Sequence, residues 1–204
     1  MLLYNSIGPN PRVVRMFAAE KGIDLPRQEV DLMGGENRRE PYVSGVNPFG
    51  TLPALRLDDG TMLCEITAIC EYLEEMQPAP ALIGTTAQER AQTRMWVRRI
   101  DLNYIENVTN GFRYSQGQRL FAGRIRLIPQ AADDLKLKAA EALALLDTQI
   151  AGRPYVCGER MTLADIMLFA FLDFAAQVKQ PFDTGLASIA AHYERMKSRP
   201  SAAA

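Results

Sequence analysis

Asn47-Pro48-Phe49-Gly50-Thr51-Leu52-Pro53-Ala54-Leu55, followed ten residues later by Glu65-Ile66-Thr67-Ala68-Ile69-Cys70-Glu71-Tyr72-Leu73, decides the reading of this chain. A Pro-Phe-Gly turn leads into a short apolar run interrupted by proline. A second turn at Asp58-Asp59-Gly60 is followed by a carboxylate at the head of an amphipathic helix. A proline in a strand cannot donate to the ladder, so Pro53 belongs at a strand edge or start, and the Leu52-Pro53 bond is expected to be cis. That geometry frees the N–H and C=O of Leu52 to pair with an extended peptide as an added strand. The helix start at residues 65–67 meanwhile offers unpaired N–H groups to a carboxylate. A small anionic peptide is the implied ligand.

Outward from this stretch, residues 1–6 read as a buried strand. Residues 11–21 form a helix with Pro11 in its first turn and Gly22 as its stop. Strands are expected at 27–32, 52–57 and 62–64, a short helix at 38–45 and a longer one at 65–76. This βαβαββα order fits a thioredoxin-like α/β domain over residues 1–77. Gln77-Pro78-Ala79-Pro80-Ala81 opens a linker over 78–85. Residues 86–204 show only helical periodicity, at 87–110, 119–151, 162–177 and 186–198, and form an all-α domain. Thr162-Leu163-Ala164-Asp165 before an apolar run is a capping box, a structural feature and not an active site.

The chain has 204 residues and a net charge of −1, which give room for two cores and no electrostatic reason to expect nucleic acid or an anionic membrane as partner. No apolar run approaches the roughly 20 residues that a spanning helix needs, and the chain reads as cytoplasmic. Cys64, Cys70 and Cys157 form no CxxC and read as reduced thiols, not as a disulfide or metal site. His192 is the only histidine and no Gly-x-Ser-x-Gly elbow is present, which argues against a His-rich metal centre and a serine triad. His192 reads as a helix-surface or packing residue.

The Asn47–Leu55 run, the Glu65-Ile66 pair, the capping box and the closing Tyr193-Glu194-Arg195-Met196-Lys197-Ser198-Arg199-Pro200 together resemble the cytosolic glutathione S-transferase superfamily over almost the whole chain. The resemblance implies glutathione as co-substrate, no metal, a small hydrophobic electrophile as second substrate, and a homodimer in which Phe49 is an exposed apolar anchor. It also implies that Thr51, Leu52 and Pro53 hold the cysteinyl backbone, while Glu65, Ile66 and Thr67 hold the γ-glutamyl end. Ile66 stands where the family usually has serine, so Thr67 is left to supply a hydroxyl. Asn37 and Arg38 take the positions that meet the glycine carboxylate, with Arg39 beside them.

Thiolate, not thiol, is the nucleophile, so donors must face the sulfur. The position of the catalytic residue in serine-type and cysteine-type classes falls on Gly8. Gly8-Pro9-Asn10 instead resembles the loop of nu-class proteins and bacterial β-etherases, in which an asparagine amide faces sulfur. Asn10 is thus the leading candidate, the competing reading being a cap for a helix that starts at Pro11. Tyr4 sits where tyrosine-type classes place their phenol, although a strand tyrosine is usually packed. Ser6 is a third possible donor, although a loop hydroxyl more often bonds nearby backbone. Trp96, Tyr104, Phe112 and Tyr114 are the aromatic candidates for the electrophile pocket, with one or two of the four expected to face it. Three activities remain open: glutathione transfer to an electrophile, glutathione-dependent disulfide reduction, and ligand binding without catalysis.

Overall fold

The computed structural model describes all 204 residues, in two compact units: Met1–Leu82 joined by the tail Pro200–Ala204, and Ile83–Arg199. In the first unit β1 (Leu2–Asn5) lies between β2 (Arg27–Glu29) and β3 (Ala54–Arg56), and β4 (Met62–Cys64) closes the edge in the order β2-β1-β3-β4. β1 runs parallel to β2 and antiparallel to β3, and β3 is antiparallel to β4. This is a thioredoxin-like mixed sheet. Strand alternation splits its side chains between two faces. Leu3 and Leu55, paired across the strands, are fully buried, as are Val13, Val14 and Phe17 of α1 (Pro9–Glu20) and Ile69 and Leu73 of α3 (Ile66–Met76). Tyr4 and Ala54, one residue along, belong to a separate buried cluster with Val30, Leu52 and Tyr42, the last from the short α2 (Tyr42–Gly45). This second cluster underlies the candidate site.

The second unit is all helical: α4 (Ala87–Ile100), a π-helical turn Asp101–Ile105, α5 (Glu106–Arg113), α6 (Gln118–Phe121), α7 (Ala132–Gln149), α8 (Leu163–Gln177) and α9 (Ala187–Lys197). α8 is buried without interruption from Leu163 to Leu172 and forms the centre of this core. Asp165 on α8 is fully buried. Its carboxylate accepts from the backbone N–H groups of Val156 and Thr162 (both 2.8 Å) and from the Thr162 hydroxyl (3.0 Å). His192 Nε2 lies 3.0 Å from Asp165 Oδ1, so the ring proton is assigned to Nε2, the nitrogen that faces an acceptor. His192 is therefore a buried tie between α8 and α9, not a surface residue.

Several expected boundaries shift for local reasons. α1 starts at Pro9, two residues early, because prolines at both Pro9 and Pro11 fit a first turn whose N–H groups have no helical acceptor. The expected helix at 38–45 is a 3₁₀ turn, Glu36–Arg38, followed by α2, since Pro41 has no N–H and the residue before it avoids helical angles. The single helix expected at 119–151 is interrupted between α6 and α7, where Gly123 adopts φ +77° and Pro129 follows. The first helix continues to Arg113 through its π turn, in which Asn103 and Asn107 side chains donate to the Arg99 and Asn103 carbonyls. No helix is long and apolar enough to cross a membrane.

Candidate functional site

The segment between α2 and β3 is held by four side chains. Asn47, 1% exposed, accepts from Phe49 N–H through Oδ1 and donates through Nδ2 to the Thr51 hydroxyl (2.8 Å) and carbonyl (3.1 Å). Tyr42 Oη donates to the same Thr51 carbonyl (2.7 Å), and burial raises its phenol pKa. Asn37 Nδ2 donates to the Gly50 carbonyl (2.6 Å), and Arg38 Nη1 to that of Phe49 (2.9 Å). Gly50 has φ +59°, and a Cβ there would stand 2.8 Å from the Arg38 side chain and from the Asn37 carbonyl. Glycine is required on both counts.

This scaffold presents Leu52. The Leu52-Pro53 bond is cis, and the N–H and C=O of Leu52 make no hydrogen bond within the chain, while the Leu52 and Pro53 side chains are buried. The scaffold also engages Asn37. This residue is 2% exposed and donates through Nδ2 to the Gly50 carbonyl, while its buried Oδ1 has no partner. Thr51 is likewise occupied by Asn47 and Tyr42. Arg38 commits one guanidinium nitrogen to the turn.

Beyond β4, Glu65 has φ +71° and ψ 127°, an uncommon conformation for a residue with a side chain. It precedes α3 with no side-chain cap, so the leading N–H groups of Ile66 and Thr67 are left for an external acceptor. The Glu65 carboxylate is exposed and unpaired, and the half-buried Thr67 hydroxyl has no intrachain bond. Helix N-termini of this kind attract anions. An unpaired carboxylate alongside can attract an ammonium group.

At the third corner Gly8 has φ +109° and precedes α1, again without a side-chain cap. Pro9 and Pro11 have no N–H, and Arg12 N–H reaches the Gly8 carbonyl (3.4 Å). Asn10 therefore supplies the one free backbone N–H of this first turn. Its half-buried side-chain amide also has no intrachain bond. Because the helix starts at Pro9, Asn10 does not cap it. The N–H groups of Ile7 and Gly8 are unpaired as well. The two competing residues are occupied differently. Tyr4 is 8% exposed with its ring edge-on to Tyr42 (6.1 Å between centroids), and Ser6 Oγ donates to the Val30 carbonyl (2.7 Å).

Sequence reasoning passed over Asn5, Arg15 and Glu29. Asn5 is 5% exposed; its Nδ2 donates to Glu29 Oε1 (2.6 Å), and its Oδ1 accepts from Arg15 Nη1 (2.7 Å), which also reaches the Ser6 carbonyl (3.2 Å). Burial lowers the Arg15 pKa from its ordinary value, with repulsion from Arg27 second and attraction to Glu29 opposing both. A polar residue ending a buried strand was the available signal.

In the second unit Tyr104 is core, 3% exposed with its hydroxyl 3.4 Å from the Phe171 carbonyl, and Trp96 is buried under the Arg99 guanidinium (5.0 Å to the ring centroid). Phe112 and Tyr114 are half-buried. Phe112 sits edge-on to Phe121 and Phe174, at 6.2 and 5.3 Å. The three thiols are free. Burial raises the pKa of each, which disfavours the thiolate form.

Two family descriptions match the chain: the glutathione S-transferase N-terminal domain over residues 7–76 and the glutathione S-transferase C-terminal domain over residues 119–200. Glutathione S-transferase 2 of Saccharomyces cerevisiae is 33% identical over 206 residues, covering 98% of this chain and 87% of the yeast protein. Glutathione S-transferase GstA of Escherichia coli O157:H7 is 31% identical, covering 89% of this chain and 85% of its own. The crystal structure of Gtt2 from Saccharomyces cerevisiae superposes with a TM-score of 0.92 at 32% identity over 98% of both chains.

Proposed function

From the fact that this chain belongs to the glutathione S-transferase family, we infer that it binds glutathione in its first unit and uses the bound thiolate as a nucleophile. One observation carries this reading. The unpaired polar groups of the unit, Leu52 N–H and C=O, the leading amides of α3, and Asn10, are the set needed by an extended, anionic peptide that ends in a thiol. Leu52 pairs with the cysteinyl backbone. Ile66 and Thr67 receive the γ-glutamyl carboxylate, with the Thr67 hydroxyl in place of the serine that Ile66 replaces, and Glu65 receives the ammonium group. Arg38 binds the glycine carboxylate, and Asn37, Thr51 and Pro53 act through the scaffold.

In the nu-like or β-etherase-like loop, the Asn10 side chain and backbone N–H, at the positive end of α1, stabilise the thiolate. The thiol proton passes to solvent. The sulfur then attacks an electrophilic carbon, a C–S bond forms, and the leaving group departs with its electron pair. Tyr104, which lines a cavity with Trp96, and the half-buried Phe112 and Tyr114 are aromatic residues available to a hydrophobic electrophile. A second reading, which needs no cysteine at Gly8, is reduction of a disulfide by two glutathione thiolates in turn, the first forming a mixed disulfide and the second releasing glutathione disulfide. A cytoplasmic homodimer belongs to this proposal too, with Phe49, 79% exposed on its braced turn, as the anchor. Sedimentation at micromolar concentration tests the dimer.

Retention on immobilised glutathione, with turnover of a generic aryl halide and of a mixed disulfide, tests the function. Retention with aryl halide turnover supports the transferase; turnover of the disulfide alone selects the second reading; retention without either leaves a binding protein.

A further inference from the structure

Beneath the loop that carries Asn10 lies a charged brace that the reading above does not use. Arg15, on the second turn of α1, sends a single nitrogen, Nη1, to two acceptors on the end of β1: Asn5 Oδ1 at 2.7 Å and the Ser6 carbonyl at 3.2 Å. Asn5 passes the contact to Glu29 at the end of β2 (2.6 Å), and the Asn5 carbonyl accepts from Val30 N–H (2.8 Å). The charges near the guanidinium are Glu29, Arg27 and Arg12. With the Ser6 carbonyl drawn towards Arg15 and its hydroxyl towards Val30, the next three N–H groups, those of Ile7, Gly8 and, past Pro9, Asn10, are left unpaired. Bonds to a charged group are about twice as strong as neutral ones and hold a geometry more tightly. A displacement of about 1 Å at a reacting centre can cost about a hundredfold in rate.

We propose that Arg15, relayed by Asn5 and anchored by Glu29, is a positioning residue for thiolate formation: it fixes the strand-to-helix turn so that its free amides and the Asn10 side chain converge on the sulfur. This rests on the glutathione-thiolate reading. It is separate from peptide binding, which uses Leu52, Glu65 to Thr67 and Arg38.

The test compares Arg15→Met, Arg15→Lys and Asn10→Ala with the unmodified protein, following steady-state turnover of an aryl halide and the ultraviolet thiolate band of bound glutathione. Arg15→Met is expected to lower kcat about tenfold and to weaken the thiolate band, with KM for glutathione within about twofold. Arg15→Lys should recover most of both, because one ammonium nitrogen can serve the two acceptors that Nη1 serves. Should Arg15→Met fail to fold, Asn5→Ala, which removes the relay and keeps the guanidinium, carries the same expectation. A lowered thermal midpoint with kcat and thiolate band intact would overturn the proposal, as would a raised KM alone. If Asn10→Ala depletes the thiolate while Arg15→Met does not, the brace is merely structural and the glutathione reading stands. If the unmodified protein shows no thiolate band when glutathione is bound, the reading fails and the proposal with it.

Discussion

In the second unit α4 begins behind Thr86, whose hydroxyl accepts from Glu89 N–H (3.1 Å) while the Glu89 carboxylate returns to Thr85 and Thr86; α8 begins behind Thr162, whose N–H and hydroxyl both meet Asp165. In the first unit α1 begins behind Gly8 and α3 behind Glu65, and no side chain touches their leading amides. All four starts carry the same partial positive charge, since it arises from the backbone. Where a side chain meets the leading N–H groups, the helix end is a joint in the fold. Where none does, and the preceding residue sits at positive φ, the end remains open to a ligand. Substitutions at the two kinds of start should therefore divide cleanly between stability and turnover.

The largest effect is expected at the closed start of α8. Asp165→Ala removes one carboxylate from four donors and leaves His192, the Val156 N–H and the Thr162 N–H without partners in a buried core. Breaking such a buried pair costs about 3–5 kcal/mol, a large part of the stability of an ordinary domain. Urea unfolding should show it directly. A loss below about 1 kcal/mol would mean that the joint is looser than its geometry implies.

Next comes the open start of α1. Asn10→Ala removes a side chain that bonds nothing in the chain, so unfolding should move by less than about 0.5 kcal/mol. If the amide donates to a thiolate, the loss of one charged hydrogen bond, roughly 1.5–3 kcal/mol, should cost about tenfold to a hundredfold in kcat, with glutathione affinity nearly intact. Equal losses of stability and rate would erase the distinction between the two kinds of start.

A smaller, purely structural change is expected at Thr86. This cap is closed but exposed, and Thr86→Ala should cost about 1 kcal/mol without altering kcat or KM. Thermal melting beside an aryl halide assay would separate the two quantities.

The same contrast explains what could be read from the residues alone. Hydrophobic period, turns and the proline break exposed the order of elements along the chain, the all-helical second unit and the capping box, because each is local. The cis bond before Pro53 and the helix head at Glu65 were legible for the same reason: a proline in an apolar run and a carboxylate before an amphipathic helix are short-range signals. The bonds that Asn37 and Arg38 make to Gly50 and Phe49, 13 and 11 residues away, were not legible, because polar residues before a helix look alike whether they face solvent or a neighbouring turn. Arg15, Asn5 and Glu29 were passed over because their meaning lies in contacts across 10 and 24 residues. No periodicity encodes such contacts.

The smallest effect is expected at Tyr4, and it is the sharpest check on which start serves the sulfur. Tyr4 belongs to the cluster under Leu52, with Val30, Tyr42 and Ala54, and its ring meets Tyr42 edge-on. Tyr4→Phe keeps the ring, the burial and the edge-to-face contact and removes only an oxygen that makes no hydrogen bond within the chain, so the core should lose little. Aromatic pairs of this geometry contribute about 0.5–1.5 kcal/mol through ring contact, which phenylalanine preserves. Turnover should stay within about twofold, since the thiolate on this reading depends on Asn10. If Tyr4→Phe abolished turnover while Asn10→Ala spared it, the phenol would be the donor and the open start of α1 would serve only to stop the strand. If both left turnover intact while glutathione still bound, the unpaired N–H groups of Ile7 and Gly8 would be the remaining donors, and the positive φ at Gly8 would be the feature on which the thiolate depends.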